Sequence, residues 1–356
     1  MKKKIIFIIS ELSQGGTQKT VQQLISKCLI DSFNVCAITF EKEKKLNLKN
    51  LKYFALDLKK KSKNKFFGMI SNIKRIFLIR KVLKKNEGSC IISFLPSTNI
   101  LVILANIFLD NKLIIAERNN PKNQPIDIIW KFFRRIFYRF ASKIICNSRE
   151  SLNYFQTYYS KKKILYIPNY VNLKKQTRKK PSKIILSIGR MHFQKGFDIL
   201  INGFQKSCAR SLGWKLVIIG NGSEKMKLRN LVNKLNLRNY VKFINFTNPY
   251  KWYKKANIFV LLSRYEGTPN VVLEAASQKV PIIISRGTGG AQDFIKNNKS
   301  GLVLKRNSAD EACKSINLLI KNSNLGKKFA NQAFKKIKYF SNIETIYMSW
   351  KKAIIQ

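Results

Sequence analysis

Residues 258–274 read Ile-Phe-Val-Leu-Leu-Ser-Arg-Tyr-Glu-Gly-Thr-Pro-Asn-Val-Val-Leu-Glu. The first five are apolar, and such a run predicts a short strand that is buried on both faces of a parallel sheet. Thr268 is placed to cap a following helix, and Pro269 suits the first position of that helix. A buried strand, a loop and a helix in this order form the repeating unit of a doubly wound α/β domain.

The same alternation of strands and helices recurs on both sides of this segment. In the first half of the chain the candidate strands are Lys4–Ile9, Val35–Phe40, Cys90–Phe94, Leu113–Ala116 and Lys143–Cys146. A charged stretch that contains a proline, 174–183, indicates a linker. After it the candidate strands are Ile184–Ile188, Lys215–Ile219, Val241–Ile244, Ile258–Leu262, Ile282–Ser285 and Gly301–Val303. We therefore predict an α/β protein with two doubly wound, Rossmann-like domains, whose ligands bind in the cleft that the domains face.

Composition limits the kind of partner. The chain has 356 residues and a formal charge of +51, which favours anionic partners such as nucleic acid, anionic lipid or phosphorylated substrates. An AT-rich coding sequence makes Lys, Asn and Ile abundant throughout. It would produce part of this charge without selection for any partner. The six cysteines have no close pairs, so they predict neither a disulfide framework nor a zinc site and fit a reducing compartment.

Two apolar stretches imitate membrane signals. The run Ile5–Ile9 is too short for the apolar part of a signal peptide, and a buried first strand explains it better. Polar and proline residues, beginning with Ser93 and Pro96, interrupt the stretch 91–109. The sequence therefore predicts a soluble or peripheral protein.

The loop and helix of the opening segment carry candidate functional groups. The backbone amides of Asn270 and Val271 would be free at the positive end of the helix, which suits a diphosphate. Glu266 lies in the loop beyond the strand, and Glu274 lies almost two turns into the helix, where its carboxylate could bind a ribose diol. Glu274 alone would be better explained as a surface carboxylate on an ordinary helix. Two glutamates at one strand–helix junction, in a chain with only 18 acidic residues, favour a functional site.

A second loop, after the candidate strand Ile184–Ile188, supplies cations. Arg190 and Lys195 could face one anion and stabilise the charge on a departing diphosphate. His192 is the single histidine of the chain, and we assign it no catalytic role. The glycine loops at 15–16 and 287–290 allow close backbone approach to phosphate or sugar, although each alone is equally compatible with a plain turn.

Taken together, these motifs resemble the retaining glycosyltransferases of family 4. The resemblance extends over nearly the whole chain and is densest from Ile184 to Val303. The residues that carry it are Gly15-Gly16, Ile167-Pro168-Asn169, Arg190, Lys195, Gly220-Asn-Gly222, Ser263-Arg-Tyr-Glu266-Gly-Thr-Pro-Asn270, Glu274, Pro281, Gly289-Gly290 and Gly301-Leu302.

The resemblance implies the GT-B fold and a division of labour between its domains. It implies an acceptor-binding domain at 1–173, the linker at 174–183, a nucleotide-sugar-binding domain at 184–335, and a terminal helix within 336–356 that returns to the first domain. The donor would be a UDP-sugar, with no catalytic metal and no cofactor, and the anomeric configuration would be retained, because the leaving diphosphate assists deprotonation of the acceptor.

Residue roles follow from the same resemblance. Arg190 and Lys195 would hold the diphosphate, and Glu266 would hold the transferred sugar; these three form the predicted catalytic set. Glu274 would bind the ribose. The predicted donor-binding residues are Gly15, Gly16, Gly220, Thr268, Asn270 and Glu274.

Three positions depart from the family pattern. Gln18 and Asp293 stand where relatives often carry glutamate, and Glu117-Arg118-Asn119-Asn120-Pro121 replaces a segment in which many relatives carry histidine. The last variant resembles a subgroup that adds hexosamine or galactose units to lipid-linked oligosaccharides. It makes Glu117 and Arg118 candidate residues of the acceptor site or the cleft.

Two basic helices, within 66–85 and 129–140, are candidates for contact with an anionic membrane surface. In the second helix the spacing predicts an apolar face opposed by Lys131, Arg134 and Arg135. That apolar face is formed by Ile129, Trp130, Phe133, Ile136, Phe137 and Phe140. The alternative is that such apolar faces pack on the sheet of the first domain, as in any amphipathic helix.

The sequence therefore predicts a hexosyltransferase, cytoplasmic and peripheral at the inner face of the membrane. It would move a hexose or an N-acetylhexosamine from a UDP-sugar to a polyprenyl-diphosphate-linked glycan in bacterial synthesis of a surface polysaccharide, either lipopolysaccharide or capsule. Alternatives are another GT-B enzyme, such as a sugar-nucleotide epimerase, or a non-catalytic protein that binds anionic membranes or nucleic acid. The absence of a recognised nucleic-acid-binding motif argues against nucleic acid as a partner.

Overall fold

The structure, a computed structural model, describes residues 3–12, 15–42, 51–58, 65–171, 173 and 182–356, with the side chains of 65–67 excluded. Most of the predicted linker, residues 174–181, lies outside this range. The chain divides into two compact units. Unit 1 comprises residues 1–167 and 344–356, and unit 2 comprises residues 168–343.

Unit 1 contains a parallel sheet of seven strands within the described residues, in the order β3-β2-β1-β4-β5-β6-β7. Its strands are β1 (Lys4–Ile9), β2 (Asn34–Thr39), β3 (Lys52–Ala55), β4 (Cys90–Phe94), β5 (Lys112–Glu117), β6 (Lys143–Cys146) and β7 (Ile164–Tyr166). Its first five helices are α1 (Gly16–Ile30), α2 (Lys65–Lys84), α3 (Pro96–Asn106), α4 (Ile128–Phe137) and α5 (Arg149–Gln156).

Unit 2 repeats the architecture with six parallel strands in its described part, in the order β10-β9-β8-β11-β12-β13. The strands are β8 (Ile184–Ile188), β9 (Lys215–Ile219), β10 (Val241–Ile244), β11 (Ile258–Leu261), β12 (Ile282–Ser285) and β13 (Leu302–Leu304). The helices are α6 (Phe197–Lys206), α7 (Lys225–Lys234), α8 (Tyr250–Tyr253), α9 (Asn270–Ser277), α10 (Ala291–Phe294), α11 (Ala309–Lys321) and α12 (Ser323–Phe340).

The predicted α/β class with two doubly wound sheets is confirmed. Central strands are continuous apolar runs because helices cover both faces of each sheet; in β1, Ile5–Ile9 are all fully buried. The sequence failed to predict β3 and β7, which lie at the two edges of the first sheet. Both are short, and β3 alternates exposed with half-buried residues, so neither produces the apolar run that marks an inner strand.

The last helix, α13 (Ile343–Ile355), packs within unit 1. Trp350 is buried, with its ring 6.1 Å from that of Phe94. Lys351 Nζ lies 2.7 Å from an oxygen of Asp31, and this hydrogen bond lowers the pKa of the Asp31 carboxyl. Within the described ranges, no helix combines the length and the apolar character needed to cross a bilayer.

The strand order identifies where each sheet is expected to bind ligands. In unit 2 the order in which strands are added reverses between β8 and β11, which are parallel neighbours in the sheet although far apart in sequence. The loops that leave such neighbouring strands diverge and form a crevice at the carboxyl edge of the sheet. These two loops contain Arg190, Lys195 and Glu266.

Candidate active site

The loops after β8 and β11 bring Lys195 and Glu266 together. Lys195 Nζ donates a hydrogen bond to Glu266 Oε1. Ser263 Oγ donates to the same oxygen at 3.0 Å. The two charged side chains are only 16% and 12% exposed, so they interact in a medium less polar than water. The structure thus places one cation and one carboxylate, both predicted, at the crevice of unit 2.

A second ion pair fixes the two loops to each other. The Arg264 guanidinium donates to both carboxylate oxygens of Asp198, at 3.0 and 2.7 Å, and to the carbonyl oxygen of Phe193 at 2.6 Å. Burial acts to raise the pKa of Asp198, but the hydrogen bonds and charge of Arg264 outweigh it and lower that pKa. The planar guanidinium suits this bidentate contact.

Backbone contacts tighten the same junction. The amide of Arg264 donates to the carbonyl oxygen of Gln194 at 2.7 Å, and Gln194 Nε2 donates to the carbonyl oxygen of Tyr265 at 2.8 Å. Sequence analysis assigned no role to Arg264, Asp198 or Gln194. The signal was present, since Arg264 lies inside the quoted segment, but its partner could not be identified without the fold.

Arg190 differs from Lys195 because it is exposed, and within the described part of the chain its guanidinium forms no hydrogen bond or ion pair. Its neighbour Met191 is fully buried, and the Met191 amide donates to the carbonyl oxygen of Asn221 at 2.8 Å. The loop is therefore anchored while the guanidinium of Arg190 remains available to an anion.

Two glycines permit the close packing of these loops. A Cβ atom on Gly220 would lie 1.9 Å from the carbonyl oxygen of Gly189, and Gly220 has a φ of +150°. A Cβ atom on Gly289 would lie 2.3 Å from the carbonyl oxygen of Glu266, and φ there is +50°. Gly220, predicted to bind the donor, thus lies against the β8 loop, and Gly289 supports the segment that presents Glu266.

Helix α9 begins one residue later than the sequence predicted. Pro269 occupies the N-cap position with extended backbone angles, so Thr268 does not cap the helix as expected. A distant segment holds this turn instead: Asn169 Nδ2 donates to the carbonyl oxygen of Thr268 at 2.8 Å and to Asn270 Oδ1 at 2.6 Å. Asn169 is buried, and it orients the two predicted donor-binding residues Thr268 and Asn270.

Glu274 lies one turn further along α9 and is 5% exposed. Its Oε2 atom accepts a hydrogen bond of 3.1 Å from the hydroxyl of Tyr253.

The two remaining predicted donor-binding residues, Gly15 and Gly16, lie in unit 1. Both are exposed at the junction of β1 and α1, where the strand order of the first sheet also reverses.

Glu117, at the end of β5, is fully buried, in contrast to the exposed Arg190. The Tyr138 hydroxyl donates to Glu117 Oε1 and itself accepts from Asn99 Nδ2 at 3.1 Å. Burial raises the pKa of the Glu117 carboxyl, although the charge of Arg134 and these hydrogen bonds oppose the shift. Arg118 is 7% exposed. The contacts of Glu117 are therefore internal to unit 1.

Comparison with known proteins identifies the kind of protein. Residues 171–336 match the family described as glycosyl transferases group 1. An N-acetylgalactosaminyltransferase of Campylobacter jejuni, named for the acceptor GalNAc-α-(1→4)-GalNAc-α-(1→3)-diNAcBac-PP-undecaprenol, is 28% identical over 99% of this chain and 98% of its own. The chain is therefore similar to glycosyltransferases of the family 4 type over nearly its whole length.

Solved structures confirm the GT-B fold. Sucrose-phosphate synthase from Thermosynechococcus elongatus superposes with a TM-score of 0.87 at 16% identity, covering 99% of this chain and 98% of that one. Anabaena HepE, solved with UDP and glucose, gives a TM-score of 0.82 at 17% identity and covers 98% of both chains. At these identities the likeness shows the fold alone.

The basic helix α4 packs differently from the prediction. Trp130, Phe133 and Phe137 contact the core of unit 1 as expected. Arg134, however, is 3% exposed, so its placement on the outer face was wrong. Its guanidinium donates to the carbonyl oxygen of Pro121 at 2.9 Å and lies over the rings of Tyr154 and Phe155. The carbonyl oxygen of Pro121 and two aromatic faces stabilise a cation that its charge alone predicts to be solvated.

Both basic helices leave apolar side chains exposed. On α2 these are Met69, Ile70, Ile73 and Phe77, and around α4 they are Ile128, Ile129, Phe132 and Phe140, each at least 45% exposed. Since a crossover helix runs antiparallel to its strands, the first turns of α2 and α4 lie toward the carboxyl edge of the sheet. Part of this apolar exposure, from Met69 and Ile70 on α2 and from Ile128 and Ile129 on α4, therefore lies toward the edge that holds Gly15 and Gly16.

Among the residues described, no group of three or more His, Cys, Asp or Glu side chains is arranged to hold a metal ion. Arg190 and Lys195 stay the predicted cations of the donor site. Sequence reasoning missed Ser263, Asn169 and Tyr253, which form hydrogen bonds with predicted residues, and Arg264, which joins the two loops through Asp198 and Phe193.

Proposed function

We propose that the protein transfers a hexose or an N-acetylhexosamine from a UDP-sugar to a polyprenyl-diphosphate-linked glycan, with retention of anomeric configuration, during synthesis of a bacterial surface polysaccharide. The observation that carries this proposal is the cluster of Lys195, Glu266 and Ser263 at the crevice of unit 2, with Arg190 exposed beside it. It supplies both a cationic site for a diphosphate and a carboxylate for a sugar.

The donor diphosphate fits the cationic side of this cluster. Arg190 offers a planar set of donors, Lys195 offers a compact charge, and the amides at the start of α9 point toward the same edge. These groups stabilise the charge that develops as the diphosphate leaves, which is the role a metal ion or another cofactor would otherwise fill. Glu274 then binds the ribose diol. HepE, which shares the fold, was solved with UDP and glucose, and this supports uridine as the base.

Glu266 fits the sugar rather than the role of a nucleophile. Its Oε1 atom already accepts from Lys195 and Ser263, so this oxygen is engaged in two hydrogen bonds and is not free to attack the anomeric carbon. We propose that it accepts a hydrogen bond from a hydroxyl of the transferred sugar. A bound diphosphate would share Lys195 with Glu266. The hydrogen-bonded pair of Lys195 and Glu266 would therefore position both the diphosphate and the sugar.

The reaction then needs no covalent enzyme intermediate. The bond between the anomeric carbon and the diphosphate oxygen breaks, and its electron pair stays on UDP. The acceptor hydroxyl oxygen bonds to the anomeric carbon from the same face, and its proton passes to the leaving diphosphate. The Campylobacter relative is named as an α-1,4-transferase, and an α-linked product from an α-linked UDP-sugar requires retention.

The acceptor proposal draws on that relative and on unit 1. The relative's named acceptor is linked to undecaprenyl diphosphate. In unit 1 the exposed apolar residues of α2 and α4 lie among basic residues, and Arg135, Arg139 and Lys163 line a surface cavity of about 560 Å³. Apolar side chains flanked by cations suit the interface of an anionic membrane. We propose peripheral attachment at the cytoplasmic face, where a lipid-linked acceptor would be presented.

A transfer assay with a panel of donors tests this function. The purified full-length protein is incubated with liposomes that contain a polyprenyl-diphosphate-linked oligosaccharide and with each radiolabelled UDP-hexose and UDP-N-acetylhexosamine. We expect one donor to label the organic-extractable lipid, and we expect NMR of the released glycan to show an α-linkage.

The controls separate donor use from acceptor use. Lys206→Ala alters a surface lysine of unit 2 that pairs with Asp310 and should leave transfer unchanged, whereas Lys195→Ala should abolish it. Release of UDP without labelled lipid would contradict the proposed acceptor. Failure of every nucleotide sugar to bind would contradict the proposed donor, and a β-linked product would contradict retention.

A further inference from the structure

Tyr253 is a buried residue of unit 2 to which neither the family resemblance nor the proposed chemistry assigns a role. It ends the short helix α8 and precedes β11, and its side chain is 0% exposed. Its ring packs 5.9 Å from that of Phe259 and 6.0 Å from that of Tyr250. Because the ring is held on both sides, the direction of its hydroxyl is set by the core.

The hydroxyl is directed at helix α9. It donates to Glu274 Oε2 at 3.1 Å and lies 3.2 Å from the carbonyl oxygen of Val271, one turn earlier in the same helix. Burial, followed by the nearby charge of Glu274, raises the pKa of Tyr253 well above its ordinary value, so the hydroxyl remains a donor at all physiological pH values. One hydroxyl therefore contacts both the carboxylate and the backbone of the turn that carries it.

A glutamate has three side-chain torsions, and an ordered carboxylate must lose this freedom before it can bind a diol. A fixed hydrogen-bond donor reduces that cost in the free protein, which is the general effect of preorganisation on affinity. The buried ring of Tyr253 provides such a donor, since it cannot follow Glu274 into other rotamers.

We propose that Tyr253 is a positioning residue that holds Glu274 in the orientation in which it binds the ribose hydroxyls of the nucleotide. The inference rests on the proposed function, because it takes Glu274 as the ribose ligand. It goes further by assigning the discrimination between ribose and deoxyribose to a pair of residues, only one of which would touch the nucleotide.

The test compares binding of UDP and 2′-deoxy-UDP to the full-length protein by calorimetry. In the unaltered protein we expect UDP to bind about tenfold more tightly than 2′-deoxy-UDP, because one hydroxyl bound to a charged group is lost. In Tyr253→Phe we expect this ratio to fall to about threefold or less, with little change for 2′-deoxy-UDP. Tyr240→Phe, at a tyrosine whose ring lies against Lys215, should retain the full ratio.

A double-mutant cycle with Glu274→Ala completes the test. If Tyr253 acts through Glu274, adding Tyr253→Phe to Glu274→Ala should change the affinity for UDP by less than about twofold. Thermal unfolding of each variant shows whether it is folded at the temperature of the titration. If Tyr253→Phe does not fold, Glu274→Gln keeps the tyrosine but replaces the charged carboxylate with a neutral amide. The ratio of UDP affinity to 2′-deoxy-UDP affinity should also fall in this variant.

Three outcomes would overturn the inference. They are an unchanged ratio in Tyr253→Phe, an equal loss of affinity for both nucleotides, and a full additional effect of Tyr253→Phe on Glu274→Ala. A protein that binds neither nucleotide would instead contradict the proposed donor, so failure of the inference and failure of the proposed function are distinguishable.

Discussion

The carboxyl edges of the two sheets arise from the same reversal of strand order but carry different side chains. In unit 2 the edge presents charges: Lys195 is paired with Glu266, and Arg190 is exposed. In unit 1 the carboxylate at the corresponding edge, Glu117, is buried beneath Tyr138. One fold thus carries exposed and paired charges at one edge and a buried carboxylate at the other. Function depends on the loops and not on the shared sheet.

The largest expected effect concerns the charged edge of unit 2. Glu266→Gln or Lys195→Ala should lower kcat by about a hundredfold to ten-thousandfold, because each removes a group that stabilises the transition state. For Glu266→Gln the Kd for UDP should change less than about threefold, since Glu266 is assigned to the sugar. Initial rates of transfer and calorimetry measure the two quantities. Equal transfer rates in Glu266→Gln and the unaltered protein would contradict the assignment.

The next effect concerns the packing that supports this edge. Gly289→Ala should destabilise the protein by about 3 kcal/mol or more, because the new Cβ would meet the carbonyl oxygens of Glu266 and Gly267. Gly213→Ala is the matched control: φ there is +71°, but nothing lies within 4 Å, so about 1 kcal/mol of backbone strain is expected. Denaturant unfolding gives both values. An equal loss of unfolding free energy in the two variants would show that the loops can move apart to accommodate the new Cβ.

The apolar edge of unit 1 should affect membrane binding and not folding. The double substitution Ile128→Ser and Phe132→Ser removes side chains that are 79% and 59% exposed. Partitioning onto vesicles with anionic lipid should fall by about tenfold to a hundredfold, while the unfolding temperature stays nearly constant. Tyr339→Ser, at an exposed tyrosine of unit 2, serves as the control. Unchanged vesicle binding would exclude α4 as the docking helix.

The smallest effect concerns pH and the buried Glu117. Because its folded pKa is raised, the folded protein binds more protons than the unfolded chain between the ordinary glutamate pKa and the folded value. Stability should therefore fall as pH rises through this window, with a slope of at most about 1.4 kcal/mol per pH unit. Glu117→Gln should flatten this slope in urea unfolding measured from pH 4 upward. A steeper slope in the variant would show that the sign is wrong.

The sequence predicted the inner strands of both sheets because their burial demands continuous apolar runs. It did not predict β3 or the packing of α4, for related reasons. Lys52–Ala55 is an edge strand with half-exposed side chains, and Arg134 is a cation that the fold buries beside an acidic partner far away in sequence. Composition and periodicity report average environments, so a buried charge that is compensated by tertiary contacts leaves no local pattern.

The candidate site likewise contains residues that a local sequence pattern reveals and residues that only tertiary contacts reveal. Arg190, Lys195, Glu266 and Glu274 could be singled out because each lies at a strand end or in a helix start that sequence reveals. Their supports could not be, since Asn169 reaches Thr268 and Asn270 across about a hundred residues of chain. The sequence therefore indicated candidate groups for the site, and only the fold showed which side chains hold them in place.

The most direct test of the account is the binding of UDP to variants of the two edges measured side by side. Lys195→Ala alters the edge of unit 2, and Lys122→Ala alters an exposed lysine in the loop after β5 of unit 1. The account predicts that Lys195→Ala weakens UDP binding by about a hundredfold, whereas Lys122→Ala stays within about threefold of the unaltered protein. Retained binding in Lys195→Ala, or a greater loss in Lys122→Ala, would contradict the placement of the donor in unit 2.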